Sequence, residues 1–343
     1  MKALYFLGEK HMELRDIPAP VPGPGDYTIR VAANGVCGSD FDGYMGRSGR
    51  RIPPMIMGHE VSGVITAKPD GGRYEIGQRV VIFPKDYCGE CSYCKQDMVN
   101  VCPNGICMGV MTRNGSMTEQ LVIGEKYLLP FADTLSFAVA AMTEPLAVAM
   151  RSVNKLGDAL IGGSEYCVVV GTGTIGLLVI SLLKLRGAKN IIVSDASDFR
   201  LKVAQRVGAD FTINPTRENF SESVAKITKG AMCDYSVEAV GITATVGNAI
   251  EALKIGGTAL WIGNSQKIIE INMQKIVTTE LTIRGNYVYG LDDFSSSLTL
   301  LEEGKIDVSP IITHYRPLAE GVEVFRRLED NRDGSLLKII LES

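Results

Sequence analysis

Hydrophobic and polar positions along the chain fall into two textures. Up to about residue 145, apolar residues come in short runs, at 27–33, 60–67 and 78–83, punctuated by the turn sequences Pro22-Gly23-Pro24-Gly25 and Asp70-Gly71-Gly72. Short β-like runs between Gly/Pro turns predict an all-β region with the character of an irregular barrel. From residue 166 the pattern changes. Residues 166–170 (YCVVV) form a continuous apolar run, as in a strand buried on both faces. A helical period over 175–186 follows, stopped by Gly187, then a strand at 190–194 and a helix over 197–207 stopped by Gly208. Further strands are predicted near 210–213, 233–238, 258–262 and 281–285. Strands alternating with helices predict a doubly wound parallel sheet, so the expected fold class is α/β with a β-rich region ahead of a Rossmann-type sheet. There is no internal repeat and no low-complexity tract.

Composition narrows this. At 343 residues, two domains are expected rather than one core. Hydrophobic residues make up 45% and charged residues 22%, the balance of a soluble globular protein. A net charge of −4 argues against a general nucleic-acid binder, which needs a basic face. The longest apolar run, 168–183, is broken by Gly171, Gly173 and Gly176 and is short for a membrane span. The opening MKALYFLGEKHMEL lacks a long apolar stretch, so no signal peptide is read, and a cytoplasmic location with reduced cysteines is expected.

Gly171-Thr172-Gly173-Thr174-Ile175-Gly176 follows a predicted strand and opens a predicted helix. In that context the first glycine makes the turn, the second admits a pyrophosphate, and the third lets helix and strand approach. The helix N-terminus offers free N–H groups to phosphates. Asp195, nineteen positions after Gly176, stands where a carboxylate binds the adenosine ribose hydroxyls. The competing reading is a glycine turn with a surface aspartate. Asp195 would repel a 2′-phosphate, and Arg200 is expected to pack on the adenine, so NAD is favoured over NADP.

Eight cysteines occur, four of them (Cys88, Cys91, Cys94 and Cys102) within fifteen positions. Two-residue spacings let neighbouring thiolates reach one ion, and four of them make a closed tetrahedral zinc site with a structural role. A disulfide pair or an iron–sulfur cluster are the competing readings; no secretory signal supports the first, and the spacing fits zinc better than the ferredoxin runs. Of the remaining cysteines, Cys107, Cys167 and Cys233, the one at 167 is expected in the core.

A second, sparser set comprises Gly35-Val36-Cys37-Gly38-Ser39-Asp40, then Gly58-His59-Glu60, then Thr143-Glu144-Pro145 ahead of an alanine-rich helix. With these runs, the four-cysteine lobe, the glycine fingerprint and the LLKIIL ending at 336–341, the chain resembles the zinc-containing medium-chain dehydrogenase/reductases, and within them the sorbitol and galactitol-1-phosphate dehydrogenase group. The resemblance runs nearly end to end. It implies a GroES-like catalytic domain formed by both chain ends (1–150, with the zinc lobe at about 85–105, and 287–343) and an inserted Rossmann NAD-binding domain at 151–286. It implies catalytic zinc on Cys37 and His59, with Glu60 coordinating or standing just behind the metal. Glu144 occupies the place of a second cysteine in alcohol dehydrogenases, binding zinc directly or through water.

The implied activity is oxidation of a secondary hydroxyl of a polyol or sugar-derived substrate to a ketone. Ser39 is the candidate hydroxyl that takes the substrate proton; a turn serine is the competing reading. Asp42 stands where many relatives carry a relay histidine; it could relay a proton, hold a substrate hydroxyl or face solvent. Val288-Tyr289 falls where sorbitol-type enzymes carry Arg-Tyr, which weighs against free sorbitol. Arg47, Arg50 and Arg51 are candidates to hold an anionic group, against a solvated basic loop. A non-sugar secondary or amino alcohol is the alternative substrate. A zinc-free quinone or enoyl reductase of the same fold and a non-catalytic zinc-lobe binding protein are the rival functions. Expected partners are a small-molecule substrate and further copies of the chain, as a homodimer or homotetramer, with no nucleic acid and no membrane.

Overall fold

The computed structural model describes residues 1–343. The chain divides into two units, one of residues 1–144, 290–331 and 338–343, the other of residues 145–289 and 332–337. The breaks expected at 150 and 286 thus fall at 144 and 289. The segment 332–337, expected with the first unit, belongs to the second. The cause is hydrogen bonding: the carbonyls of Asp333, Gly334 and Leu337 accept from Ser197 Oγ, Arg200 Nε and Thr174 Oγ1.

The first unit carries β1 (Lys2–Gly8), β2 (His11–Asp16), β3 (Asp26–Gly35), β4 (Met55–Ile56), β5 (Glu60–Ala67), β6 (Arg79–Ile82), β7 (Gln120–Gly124) and β8 (Leu128–Pro130) from the first part of the chain. From its end come two more strands, Ile312–Pro317 and Lys338–Glu342. A three-stranded sheet has the order β2-β1-β4. In the larger sheet, Ile312–Pro317 pairs with Lys338–Glu342, which pairs with β3, followed by β5, β6 and β8, with β7 also on β3. In β3 the side chains of Tyr27, Ile29, Val31 and Ala33 are fully buried, the period of two expected of a half-buried strand. Register then matters for the site. Gly35 lies opposite Glu60 on one side and Ile340 on the other, so the C-terminal strand is delivered next to the start of β5.

The second unit is a six-stranded sheet of β9 (Tyr166–Val170), β10 (Asn190–Ser194), β11 (Phe211–Ile213), β12 (Cys233–Glu238), β13 (Leu253–Trp261) and β14 (Thr282–Gly285). Its order is β11-β10-β9-β12-β13-β14 and every pairing is parallel. These are the six strands expected from the pattern; β13 begins five residues early because Gly256 and Gly257 interrupt its apolar run. β9 is central, and Cys167 to Val170 are buried, as the continuous apolar run requires. The strand order reverses between β9 and β12, the switch point outside which open α/β sheets bind ligands. The glycine loop leaves the carboxyl end of β9 at that point. No helix is long and apolar enough to cross a membrane.

Candidate functional site

The four-cysteine segment is built by two short 3₁₀ turns, Cys94–Gln96 and Val99–Val101. The Sγ atoms of Cys88, Cys91, Cys94 and Cys102 all lie within 4.8 Å of one another. The separations are 3.6 Å for Cys88–Cys102 and 3.9 Å for both Cys88–Cys94 and Cys91–Cys102. These are far beyond a disulfide bond. They match the edge of about 3.8 Å of a tetrahedron with Zn–S bonds of about 2.3 Å. Backbone amides point at the sulfurs: Cys91 N to Cys88, Cys94 N to Cys91 and Cys88 N to Cys102, each at 3.4 Å. The amides of Glu90 and Cys91 bring the Cys88 thiol down to about 6, while burial and the neighbouring thiols push Cys94 up to about 12. Four sulfurs held this close need a cation to become thiolates together, and the donor set fits a closed zinc site. Cys167 and Cys233 are buried in strands, and burial pushes Cys167 up to about 12, the behaviour of core residues.

The sparser set converges on the end of β3. Cys37 caps the Gly38–Tyr44 helix, its Sγ accepting from Ser39 N at 3.5 Å and from Ser39 Oγ at 3.2 Å. Cys37 Sγ, a His59 ring nitrogen and a Glu60 carboxylate oxygen lie within 4.8 Å of one another. His59 and Glu60 are buried. His59 Nδ1 is buried without a hydrogen-bond partner, 3.7 Å from Asp40 Oδ1. Burial first, then the charges of Glu60 and Asp40, push the Cys37 thiol up to about 11. A protein-only environment that resists the thiolate, beside an unpartnered imidazole nitrogen and a carboxylate, fits a divalent cation that deprotonates the thiol on binding.

Glu60 has a second partner. Lys338, fully buried in the C-terminal strand, donates to its two carboxylate oxygens at 2.8 and 2.7 Å and to Val36 O at 3.0 Å. Burial alone would lower the Lys338 pKa; the charges of Glu60 and Cys37 outweigh it and raise it. Glu144 is buried in the first turn of the Thr143–Leu156 helix, outside the compact cluster of Cys37, His59 and Glu60. Its charge still acts on Lys338 and on the Cys107 thiol.

Asp42 stands one turn after Ser39 on the same short helix, so the two share a face. Burial raises its pKa, opposed by Arg47 and Arg51. Arg47 and Arg50 are exposed, Arg47 lying 3.8 Å from Asp42 and over the Phe41 ring. Arg51 departs from the basic-loop expectation. It is buried, and its guanidinium is taken up by Asp40 and Ser39. Val288 has a left-handed backbone with φ of 54°, and Tyr289 is fully buried.

In the second unit, Gly171 has φ of 94°, and Gly173 is the N-cap of the Thr174–Leu185 helix, with no side-chain cap on its first amides. Those N–H groups, Thr174 and Ile175 among them, are left to a ligand. A Cβ on Gly176 would meet Gly171 O at 1.9 Å, so only glycine permits this closeness of helix and loop. Asp195 follows β10; its carboxylate accepts from Thr172 N at 2.8 Å and Ser197 N at 2.9 Å, which fixes it beside the glycine loop. Arg200 lies in the Asp198–Arg206 helix and donates to Gly334 O at 3.4 Å. The roles of Lys338, Asp40 and Arg51 are not apparent in sequence. The one signal for Lys338 is a lysine in the middle of the apolar run LLKIIL.

Residues 23–133 match the alcohol dehydrogenase GroES-like domain, and residues 174–303 match the zinc-binding dehydrogenase domain. The chain is 30% identical to sorbitol dehydrogenase of Gallus gallus over 337 residues, covering 96% of this chain and 93% of that protein. It is 31% identical to L-threonine 3-dehydrogenase of Pyrococcus abyssi over 334 residues, 95% of this chain and 94% of that protein. Among solved structures, a zinc-binding dehydrogenase of Sinorhizobium meliloti bound to NADP superposes with a TM-score of 0.90 at 26% identity, covering 100% of this chain and 99% of that one.

Proposed function

The chain belongs to the zinc-binding dehydrogenases, oxidoreductases acting on alcohols, and from that premise we propose that it oxidises a secondary hydroxyl of a polyol or sugar-derived substrate to a ketone, reversibly, with NAD. The observation that carries the reading is the cluster of Cys37, His59 and Glu60 within 4.8 Å, with the Ser39 hydroxyl 3.2 Å from the Cys37 sulfur. Cys37 and His59 would hold a catalytic zinc ion, with Glu60 and Glu144 as further candidate ligands; the four-cysteine lobe would hold a structural one. When bound, zinc supplies a Lewis acid for the alcohol oxygen and the nicotinamide supplies the hydride acceptor. Ser39 receives the substrate's hydroxyl proton, and Asp42, one turn on, is the candidate for its onward passage. Gly171, Gly173, Gly176 and the open amides after them cradle the pyrophosphate, and Arg200 borders the adenine side. Asp195 accepts the ribose hydroxyls and disfavours a 2′-phosphate, which supports NAD over NADP.

Sorbitol and threonine relatives frame the choice of substrate. The polyol reading rests on the carboxylates at 60 and 144; the amino-alcohol reading is the second candidate. The eight free thiols suit a reducing compartment such as the cytoplasm. The edge strand β14, with Met273 and Val277 exposed in the helix that precedes it in sequence, supports a homodimer or a homotetramer built from it. The test is an NAD-reduction screen over polyols, sugar phosphates, aldonates and amino alcohols, with zinc counted per chain. Two zinc ions and turnover of a polyol or sugar derivative at least tenfold above L-threonine are expected. Turnover of amino alcohols alone would overturn the polyol assignment, and a single zinc with no turnover would overturn the catalytic metal.

A further inference from the structure

We infer that Arg51 is a positioning residue, whose buried guanidinium holds the Ser39 hydroxyl and the Asp40 carboxylate in place beside the Cys37–His59–Glu60 cluster. The inference rests on the dehydrogenase reading, and it replaces the role of anion binder for this arginine. Its side chain is 2% exposed. Nη2 donates to Asp40 Oδ1 at 2.8 Å and to Ser39 Oγ at 2.9 Å, and Nε approaches the same Asp40 oxygen at 3.3 Å. The aliphatic stem runs over Gly43, where a Cβ would sit 2.2 Å from Arg51 Cγ. The backbone on either side is tied to Met111, through Ile52 N to Met111 O at 3.0 Å and Met111 N to Arg50 O at 2.7 Å. With Nε and Nη2 engaged by Asp40 and Ser39, only Nη1 is left, and it cannot present the paired fork that suits a substrate phosphate or carboxylate.

Donor and acceptor counting shows what the contact does. A serine hydroxyl has one O–H and two lone pairs. Arg51 fills one lone pair and Cys37 Sγ lies 3.2 Å from the O–H, so one lone pair is left to accept from a substrate hydroxyl. A guanidinium accepts nothing and does not lose its proton, so a proton arriving at Ser39 cannot continue through Arg51 to Asp40. The Ser39 O–H proton is released in exchange, turning from Cys37 Sγ toward Asp42, the acceptor one turn on in the proposed function. The same guanidinium holds Asp40, whose other oxygen accepts from Cys37 N at 3.4 Å and which stands 3.7 Å from His59 Nδ1. One buried side chain thereby sets the rotamers of the proton-accepting hydroxyl and of the carboxylate behind two metal-ligand candidates.

The test is a double-mutant cycle in the zinc-loaded full chain. Arg51→Lys keeps a positive charge for Asp40 but has no fork to reach both partners. With NAD and xylitol or L-threonine as probe alcohols, kcat is expected to fall about tenfold, the worth of one charge-assisted hydrogen bond, with KM and zinc content unchanged. In a Ser39→Ala background the same substitution should change kcat less than twofold. An equal loss in both backgrounds, or a raised KM at constant kcat, overturns the inference. A second arm needs no turnover: the melting-temperature loss from Arg51→Lys should be smaller in the Ser39→Ala background, and additive losses overturn the inference. If the wild type oxidises neither probe alcohol, the proposed substrate class fails while the melting-temperature coupling still decides the role of Arg51.

Discussion

Replacing Lys338 by methionine should expose how strongly the C-terminal strand depends on one ion pair. Lys338 and Glu60 are 2% and 1% exposed, and the ammonium donates to both carboxylate oxygens and to Val36 O. Methionine fills a similar volume but leaves the carboxylate buried without its cation. Breaking a buried pair from one side costs about 3–5 kcal/mol. At about 1.4 kcal/mol per decade, that is roughly two to four orders of magnitude in the equilibrium for local opening. Hydrogen exchange followed by mass spectrometry, on peptides covering 31–36 and 338–343 of the zinc-stripped protein, reads this opening directly. The double variant Glu60→Met with Lys338→Met should recover most of the protection, since a buried pair exchanged for apolar groups is near neutral. Zinc loading should shrink the single-variant effect where the metal shares Glu60. The Lys338 pKa is raised, so in the wild type its contribution is complete below the ordinary value of 10.5 and is lost only as pH rises through the higher folded value. Exchange within tenfold of wild type in Lys338→Met, or a double variant no better protected than the single, would refute the reasoning.

After zinc removal at neutral pH, iodoacetamide should label Cys88 before Cys37, because the first thiol is held near 6 and the second near 11; peptide mapping that finds Cys37 first would contradict this. Gly176→Ala should weaken NADH binding at least tenfold in a fluorescence titration, since the added Cβ falls 1.9 Å from Gly171 O, and unchanged affinity would count against the phosphate-loop assignment. Asp234 accepts from Glu165 N at 2.9 Å and Tyr166 N at 3.1 Å and pairs with Lys254; burial alone would raise its pKa, but these partners outweigh it and hold the carboxyl below 3.8. Its contribution is present above that value and lost as pH falls through the lower folded one, so Asp234→Asn should flatten the acid limb of a pH–stability curve, and an unchanged limb would disprove it.

What could be read in the sequence follows from where the interacting groups lie. The four thiols of the lobe sit within fifteen positions, and the glycine fingerprint within six, so their chemistry is local and spacing reveals it. The apolar period likewise gave the six parallel strands. Cys37 and His59 are 22 positions apart, and only the family resemblance joined them. Lys338 and Glu60 are 278 positions apart and meet because β3 is flanked by both of their strands. Arg51 looks like part of a basic surface loop until its burial is known. The return of 332–337 to the second unit depends on carbonyls, which carry no sequence signal at all.

The two cations that the sequence concealed explain how so acidic a pocket can serve an electrophilic metal. Four groups at or near the cluster would be anionic with zinc bound there: the Cys37 thiolate, Asp40, Glu60 and Glu144. Left alone, they would outweigh a divalent ion and blunt its pull on an alcohol oxygen. Arg51 is paired with Asp40 and Lys338 with Glu60, both within buried contacts of 2.8 Å or less. Two of the four charges are thus balanced by buried cations within the protein itself. In a low-dielectric site a neutral assembly still attracts developing negative charge on a substrate oxygen, whereas an over-acidic one repels it. On this account Arg51 and Lys338 would preserve the Lewis acidity of a metal held there, and loss of either should make a bound alcohol harder to deprotonate even where zinc content is unchanged.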